Sequence, residues 1–289
     1  MSAAASPDSA PAAVEKLRLH LRAQYQGIFG EEAIQRHIDE YVGMGNAAEF
    51  ASFLARRGHV GQRLLDIGAG YGSIVLAARQ AGIDAEGLEP AAYEIGFARE
   101  RLRALRPTDD PAAIYRQGDG MRLPYEDNSF DVVTTLNVLE HVQDFRGVLS
   151  EAVRVLKPGG RLYAICPNYA AFRQEAHYLV PWLPLLPRAL ASVYLRLLGR
   201  DPAFFEQHIH YCSNWGVLLA TQRLSLRLAN PYATRLDDLG SVRRPWLRSL
   251  LRQLRRANLL GVVRLALWLR YLNPLKPDIT VWATKTTAP

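Results

Sequence analysis

The stretch DIGAGYG, which runs from Asp66 to Gly72, constrains the fold of this chain more than any other. It follows a short apolar run and precedes an apolar helical run, so it is typical of the turn between a buried strand and a helix. Glycine is costly at this density unless the backbone needs positive φ or a partner must approach more closely than a Cβ atom permits. Both reasons predict that a small molecule lies against Gly68, Gly70 and Gly72.

The residues around this turn alternate predicted strands with predicted helices. The strands are RLLDIG, DAEGLEP, AIYRQGD, FDVVTTLN and RLYAICPN, and the helices between them are SIVLAARQAG, AAYEIGFARERLRAL and FRGVLSEAVRVL. Strands that alternate with helices of this length indicate a parallel, doubly wound α/β sheet. Two later runs, LRLANPYAT and DITVWATK, are further candidate strands, and a helix is expected to begin near Glu140.

The flanking residues predict one domain with additions. The small, polar start of the chain has no basic region followed by an apolar region, so it is expected to be a disordered tail rather than a signal peptide. Two amphipathic helices should follow, the second from Glu31 to Arg57. The predicted divisions are a tail at 1–13 and a single domain at 14–289, with N-terminal helices at 14–58, a core at 60–168, a lid insertion at 169–210 and a basic helical insertion at 235–277.

Cysteine content and charge restrict the remaining possibilities. The two cysteines, Cys166 and Cys212, make a disulfide framework implausible and suit a reducing cytosol, so a cytoplasmic location is expected. They form no C-x-x-C or His/Cys cluster, so no metal site is expected. The net charge of +7 is local, because Leu239 to Pro277 contains nine basic residues and no acid.

The spacing of the glycines narrows the class of ligand. A dinucleotide fingerprint has the form G-x-G-x-x-G, whereas this turn is G-x-G-x-G with Ser73 at the third position. No Lys-Ser/Thr pair follows, which excludes a P-loop. Glu89 ends the next predicted strand, where a carboxylate can accept both hydroxyls of a ribose. Asp119 ends the third strand and can accept from an adenine amino group, while the Met121 amide meets a ring nitrogen.

Taken together, these motifs resemble a known family. Asp66-x-Gly68-x-Gly70-x-Gly72, Glu89, GDGMRLPYEDNSFDVV, LEHV and LKPGG resemble, in order and spacing over residues 63–167, the class I S-adenosylmethionine-dependent methyltransferases. The resemblance is greatest to the type 11-like branch, which includes quinone-biosynthesis and small-molecule O- and C-methyltransferases.

The resemblance has consequences for the fold and for the cofactor. It implies a Rossmann-like, doubly wound seven-stranded α/β sheet with helical lid insertions, in which DITVWATK is the reversed last strand. It also implies S-adenosyl-L-methionine as cofactor, with Asp66 and the glycines by the methionine end and the Asn137 carbonyl facing the amino group. The implied cofactor-binding residues are Asp66, Gly68, Ala69, Gly70, Gly72, Glu89, Pro90, Asp119, Gly120, Met121 and Asn137.

Catalytic residues are less constrained, because the methyl donor is already activated and positioning supplies most of the catalysis. A hydroxyl acceptor still benefits from a general base. His141, after the fourth strand, is one candidate, although LEHV can equally serve to shape the cofactor pocket. His177 of the lid is the favoured base, with Glu175 as its carboxylate partner. His208 and His210 are explained equally well as helix-start or surface residues.

The predicted function is transfer of a methyl group from S-adenosyl-L-methionine to a small-molecule, sugar or lipid-linked acceptor, most readily at oxygen. The alternatives are a non-catalytic nucleoside-binding protein and an NAD-dependent oxidoreductase. The oligomeric state is left open by the sequence.

The basic insertion suggests a location at a membrane surface. Arginines recur at helical spacing beside a stripe formed by Leu247, Leu251 and Leu254, and a Trp-containing apolar run follows. This composition is typical of a helix that lies on an anionic membrane, here the inner face of the cytoplasmic membrane. A helical lid or a dimer contact explains it about equally well. Nucleic acid is not expected, because a stacking platform of exposed aromatic residues is missing.

Overall fold

A seven-stranded sheet forms the centre of the computed structural model, which describes residues 11–233, 236 and 244–286. The strand order is β3-β2-β1-β4-β5-β9-β8; the first five strands are parallel, and β9 runs antiparallel to both β5 and β8. The strands of this sheet are β1 Arg63–Ile67, β2 Asp84–Glu89, β3 Tyr115–Gln117, β4 Phe130–Leu136, β5 Leu156–Pro167, β8 Leu226–Ala229 and β9 Asp278–Lys285. The doubly wound sheet and the reversal of DITVWATK are therefore confirmed.

Helices cover both faces of the sheet and its carboxyl edge. They are α1 Pro11–Tyr25, α2 Glu31–Val42, α3 Gly45–Arg56, α4 Ser73–Gln80, α5 Ala92–Leu105, α6 Pro111–Ile114, α7 Phe145–Val155, α8 Arg188–Leu197, α9 Ala203–His208, α10 Asn214–Gln222, α11 Pro245–Arg256 and α12 Leu260–Leu272. A small hairpin of β6 Arg173–Gln174 and β7 Pro181–Trp182 lies in the lid insertion.

Side-chain alternation along the strands builds two separate cores. Leu65 and Val133 point to the face covered by α7 and α10, whereas Leu64 and Val132 point to the face covered by α3, α4 and α5. Because successive residues of a strand face opposite sides, a strand buried on both faces needs an unbroken apolar run. Leu64–Leu65 in β1 and Val132–Val133 in β4 are short runs of this kind, and the polar Asp66, Thr134 and Thr135 are buried beside them.

A third core joins the N-terminal helices to the lid. Leu17 and Ile34 of α1 and α2 pack with Tyr178 and Trp182 of the lid, and Tyr71 of the glycine turn belongs to the same cluster. The N-terminal helices, which precede the core, and the lid, which follows it, thus form one layer over the carboxyl edge of the sheet. This is the edge at which open α/β sheets bind ligands.

Three local predictions need correction. The helix expected from Glu31 to Arg57 is two helices, because the backbone at Gly43 is extended and a Cβ atom there would lie 2.4 Å from the Asp39 carbonyl oxygen. The first helix begins at Pro11, inside the predicted tail, whose residues 1–10 lie outside the described part of the chain. Glu140 lies in a turn, and the helix after β4 begins only at Phe145, where Asp144 caps it.

We expect Gly72→Ala to lower the free energy of unfolding by at least about 2 kcal/mol, because φ at Gly72 is 81° and a Cβ atom would lie 2.6 Å from the Tyr115 hydroxyl. Gly96→Ala is the matched control, since Gly96 lies inside α5 with open space around it. The control should be neutral or stabilising by up to about 1 kcal/mol. Chemical denaturation of both variants measures the difference, and equal stabilities would contradict this account of the turn.

Candidate active site

The glycine turn between β1 and α4 has the left-handed backbone that its sequence predicts. The φ angles of Gly68, Gly70 and Gly72 are 74°, 50° and 81°. The protein itself fills the space beside two of them: a Cβ atom at Gly68 would lie 2.3 Å from a Val138 methyl group, and one at Gly72 would meet Tyr115. Only Gly70 is comparatively open. The expectation that all three glycines make room for a ligand is therefore too broad.

Glu89 closes the turn from the end of β2. Its two carboxylate oxygens accept hydrogen bonds from the backbone amides of Gly70, at 3.1 Å, and Ala91, at 3.0 Å. Burial raises the pKa of this carboxyl group. A carboxylate offers about four acceptor positions, so about two of them are left for a ligand. This arrangement suits a pair of ribose hydroxyls.

Two more carboxyl groups surround the turn. Asp66 is buried and accepts a hydrogen bond from the Thr134 hydroxyl at 2.6 Å; burial raises its pKa to about 7. Glu94, whose Oε2 would lie 3.2 Å from a Cβ atom on Gly70, also has its pKa raised to about 7 by burial and by Glu89. A cationic ligand would relieve this mutual repulsion and favour the ionised forms.

The remaining predicted cofactor residues lie along the same edge of the sheet. Ala69 donates its amide to the Leu88 carbonyl, Pro90 accepts from Gln117, and Asn137 is exposed with a φ of 55° directly after β4. A Cβ atom at Gly120 would lie 2.9 Å from Ile67.

Asp119 and Met121 are bonded to each other in this structure. The Met121 amide, which the sequence assigns to a ring nitrogen, donates to the Asp119 carboxylate at 2.8 Å. The Met121 side chain is exposed beside them. The two residues thus share one turn, which leaves the second oxygen of Asp119 for a ligand.

The predicted base and its carboxylate form a buried pair in the lid. Glu175 Oε1 lies 2.9 Å from His177 Nδ1, and the carboxylate also accepts from the backbone amides of His177 and Tyr178 and from the Tyr169 hydroxyl. Burial alone would raise the pKa of Glu175, but His177 and these donors lower it to about 2. Burial alone would lower the pKa of His177, and Glu175 outweighs it, so that pKa is raised.

The second predicted histidine lies against the first. The ring centroids of His141 and His177 are 5.2 Å apart, and His141 Nδ1 is 2.9 Å from the His208 carbonyl. Since a carbonyl only accepts, Nδ1 carries the proton and Nε2 is the acceptor in the neutral ring. Burial, followed by the neighbouring His177, lowers the pKa of His141 to about 4. His177 is thus the more basic imidazole of the pair and His141 the less basic one. Neighbouring titratable groups whose pKa values are pushed apart in this way are typical of sites in which one group acts as acid and the other as base.

Sequence reasoning missed two buried polar residues near this site, Glu140 and His37, and the partly buried Tyr41. Glu140 has an Oε2 atom without a hydrogen-bond partner in the described chain, and burial raises its pKa to about 7. His37 and Tyr41 of α2 stack on each other with centroids 6.0 Å apart. A histidine on the apolar face of an amphipathic helix looks like a core residue, so only the tertiary packing of α2 on the lid could reveal it.

Ring contacts connect the glycine turn to His177 of the lid and to His141 of the turn after β4. Tyr71 of the turn contacts Tyr41 at 5.1 Å, His37 stacks on His177 at 5.7 Å, and His177 contacts His141. The turn that follows β4 also joins the two groups. Its Val138 side chain packs on Gly68 of the glycine turn, and the Val138 carbonyl accepts a hydrogen bond from the His141 amide. The predicted cofactor edge and the predicted catalytic group therefore adjoin each other.

Comparison with known proteins agrees with this geometry. Residues 65–164 match the family described as "Methyltransferase domain". Residues 65–164 of this chain form a methyltransferase domain of the S-adenosylmethionine-dependent kind.

Curated relatives carry related names. The chain is 29% identical over 155 residues to the demethylmenaquinone methyltransferase of Tropheryma whipplei (strain Twist), covering 54% of this chain and 60% of that protein. It is 34% identical over 151 residues to the 27-O-demethylrifamycin SV methyltransferase of Amycolatopsis mediterranei (strain S699), covering 50% and 51%. The chain spans about half the length of these relatives, or slightly more.

A solved structure supports the fold. A protein from Galdieria sulphuraria, assigned as a sarcosine dimethylglycine methyltransferase, superposes with a TM-score of 0.52 at 15% identity, covering 94% of this chain and 98% of that one. At this identity the similarity concerns the fold alone. It extends the match beyond residues 65–164 to most of the chain.

The site has the chemistry that S-adenosyl-L-methionine requires. The cofactor of this methyltransferase class carries a sulfonium, an ammonium group and a ribose diol. Three carboxyl groups whose pKa values are raised by burial lie around the glycine turn: Asp66, Glu89 and Glu94. Within the described ranges, no group of three His, Cys, Asp or Glu side chains is placed to hold a metal ion.

We expect Glu89→Ala to weaken binding of S-adenosylhomocysteine about 10- to 150-fold, because hydrogen bonds to a charged group contribute about 1.5–3 kcal/mol. Glu86→Ala is the matched control: Glu86 lies on the same strand but pairs with Arg63 away from the turn, so affinity should stay within about twofold. Isothermal titration calorimetry measures both. Equal losses in the two variants would contradict the ribose assignment.

Proposed function

We propose that the protein transfers a methyl group from S-adenosyl-L-methionine to a hydroxyl oxygen of a small-molecule, sugar or lipid-linked acceptor, with His177 as general base. The observation that carries the proposal is the buried Glu175–His177 pair, which lies against His141 and is joined by ring contacts to the glycine turn. An acceptor nitrogen or carbon has less need of such a base, so the pair favours oxygen.

The chain's own residues then act as follows. The bound cofactor supplies an activated methyl group on a sulfonium. Glu89 and Asp66 hold and orient it against the glycine turn, while the lid excludes water from the acceptor. Glu175 keeps Nδ1 of His177 protonated, so Nε2 is the atom that takes the hydroxyl proton as the oxygen attacks. The protonated imidazole is stabilised by the same carboxylate.

His141 has a different part in this scheme. Its low pKa keeps it neutral at physiological pH, and its Nδ1 contact with the His208 carbonyl fixes the ring. A neutral imidazole adds no second positive charge beside His177. Its Nε2 atom can accept a hydrogen bond from the methyl acceptor and so orient it. We assign it to acceptor positioning.

The test of the activity is direct. Labelled S-adenosyl-L-methionine is incubated with metabolite and lipid extracts from cells that lack the protein, and products are analysed by mass spectrometry for a gain of one CH₂. Enzyme-dependent label in an extracted compound supports the proposal. Binding of S-adenosylhomocysteine without any transfer supports a non-catalytic nucleoside-binding protein instead, and preference for NAD supports an oxidoreductase.

The pH dependence of kcat/KM should report His177. A base must be deprotonated, so activity should rise with pH through a pKa above the usual 6.5, because Glu175 raises the pKa of His177. In Glu175→Gln the inflection should move to lower pH as overall activity falls, since the stabilising carboxylate is gone. In His177→Gln the inflection should disappear while S-adenosylhomocysteine still binds. An unchanged profile in both variants would exclude His177 as the base.

We further propose that the enzyme works at the surface of an anionic membrane, on its cytoplasmic face. Val262, Leu265, Leu269 and Leu272 form an exposed apolar stripe on α12. Trp215 of α10 donates to the Leu272 carbonyl at 2.7 Å and extends this apolar surface. Contiguous exposed apolar surface of this kind is characteristic of interaction sites.

The arrangement of α11 corrects one detail of the sequence interpretation. Leu247, Leu251 and Leu254 do not face outward; they pack against α12. The apolar surface available to lipid is therefore that of α12, next to a helix rich in arginine. Each basic residue near an anionic leaflet contributes roughly 1 kcal/mol to binding. None of the helices in the described residues is long and apolar enough to span a bilayer.

Vesicle flotation tests this location. The wild-type protein should float with phosphatidylglycerol vesicles at low salt and less at physiological salt, because salt screens the arginines. Leu265→Gln/Leu269→Gln should abolish flotation, whereas Leu19→Gln, an equally exposed leucine of α1, should not. Failure of the wild type to float in either condition would favour a lid or a dimer contact, and light scattering separates those two.

A further inference from the structure

We propose that His37 of α2 is an acceptor-binding residue of this site, whose imidazole exchanges hydrogen bonds with a hydroxyl group of the methyl acceptor. The proposal rests on the proposed function and adds to it a residue from outside the methyltransferase-like core sequence. It identifies the N-terminal helices as part of the acceptor site rather than as a cover for the sheet.

The first observation is that the imidazole is buried and unsatisfied. His37 is 5% exposed, its ring lies beside the backbone of His177, and neither ring nitrogen makes a well-aligned hydrogen bond within the described chain. Leaving a buried polar group unpaired is costly, and buried polar groups in proteins are nearly always paired. Such a group needs an explanation, and a ligand that supplies the missing partner provides one.

The second observation is where the ring lies. His37 stacks on His177 at 5.7 Å with an interplanar angle of 29°, and on Tyr41 at 6.0 Å with an angle of 15°. Tyr41 in turn contacts Tyr71 of the glycine turn. The His37 ring is therefore located between Tyr41, which contacts the glycine turn, and His177 of the proposed catalytic pair.

The chemistry of the ring selects a hydroxyl group. Burial, followed by the neighbouring His177, lowers the pKa of His37 to about 4, so the ring is neutral near neutral pH. A neutral imidazole has one donor and one acceptor nitrogen. A hydroxyl oxygen can accept a hydrogen bond from the protonated nitrogen of His37 and still give its own single proton to His177.

A buried histidine elsewhere in the fold offers a contrast. His59 is also buried, but its Nδ1 lies 2.8 Å from Gln62 Oε1 and its Nε2 lies 3.0 Å from the Tyr163 hydroxyl. It is a satisfied structural histidine. Comparison of the two residues separates a binding role from a packing role.

The experiment uses His37→Phe, which keeps an aromatic ring in the stack, with His59→Phe as control and His37→Gln as a rescue variant. His37→Phe should keep or raise Tm, because it removes an unpaired polar group, whereas His59→Phe should lower Tm by roughly 4 °C or more, because Tyr163 and Gln62 lose their partner. Both His37 variants should bind S-adenosylhomocysteine within about twofold of wild type.

Methyl transfer from labelled S-adenosyl-L-methionine to the metabolite and lipid extract provides the decisive readout. His37→Phe should need at least about tenfold more extract for half-maximal labelling, and His37→Gln should recover part of the loss. Wild-type behaviour of His37→Phe in this assay would overturn the proposal. If the wild-type protein transfers no label, the proposed function fails; a loss of Tm in His37→Phe equal to that in His59→Phe then overturns the role of His37 independently.

Discussion

The hydrogen bonds of the Glu175 carboxylate determine the form of the lid around His177. Four donors converge on its two oxygens, two from backbone amides and two from the Tyr169 and His177 side chains. This ties together a lid segment that has little regular secondary structure of its own. It fixes the His177 ring and thereby the contacts of that ring with α2 and with the turn after β4.

The same pair sets the pH range in which the lid is most stable. Glu175 has a pKa of about 2, well below its usual 4.5, so its contribution is present above 4.5 and is lost as the pH falls toward 2. His177 has a raised pKa, so its contribution is complete below 6.5 and is lost as the pH rises through the raised value. Between about 4.5 and 6.5 the pair is fully ionised. At higher pH some of this stability is lost as His177 becomes neutral, which is the form that the proposed base role requires.

The sequence was a good guide to the sheet and to its ligand edge, because both depend on local patterns. Short, mostly apolar runs identify strands buried on both faces. The glycine spacing identifies a left-handed turn, and this local signal does not depend on the packing of the rest of the chain. Glu89 and the Glu175–His177 pair could be predicted because each lies within or beside a short motif of the sequence. His37 and Glu140 could not be found in this way, since their significance arises from packing between α2, the lid and the turn after β4. The break at Gly43 and the inward packing of Leu251 were missed for the same reason: an amphipathic pattern shows that a face is buried, but not against what.

The central claim is that the environment makes His177 of the lid more basic than His141 of the turn after β4, which stays neutral. Titration of the ¹⁵N-labelled imidazole side chains by NMR, with S-adenosylhomocysteine bound and His177→Gln and His141→Gln used for assignment, measures this difference in pKa directly. The account predicts a His177 pKa above 6.5 and a His141 pKa well below it. Equal pKa values for the two rings, or a reversed order, would contradict it.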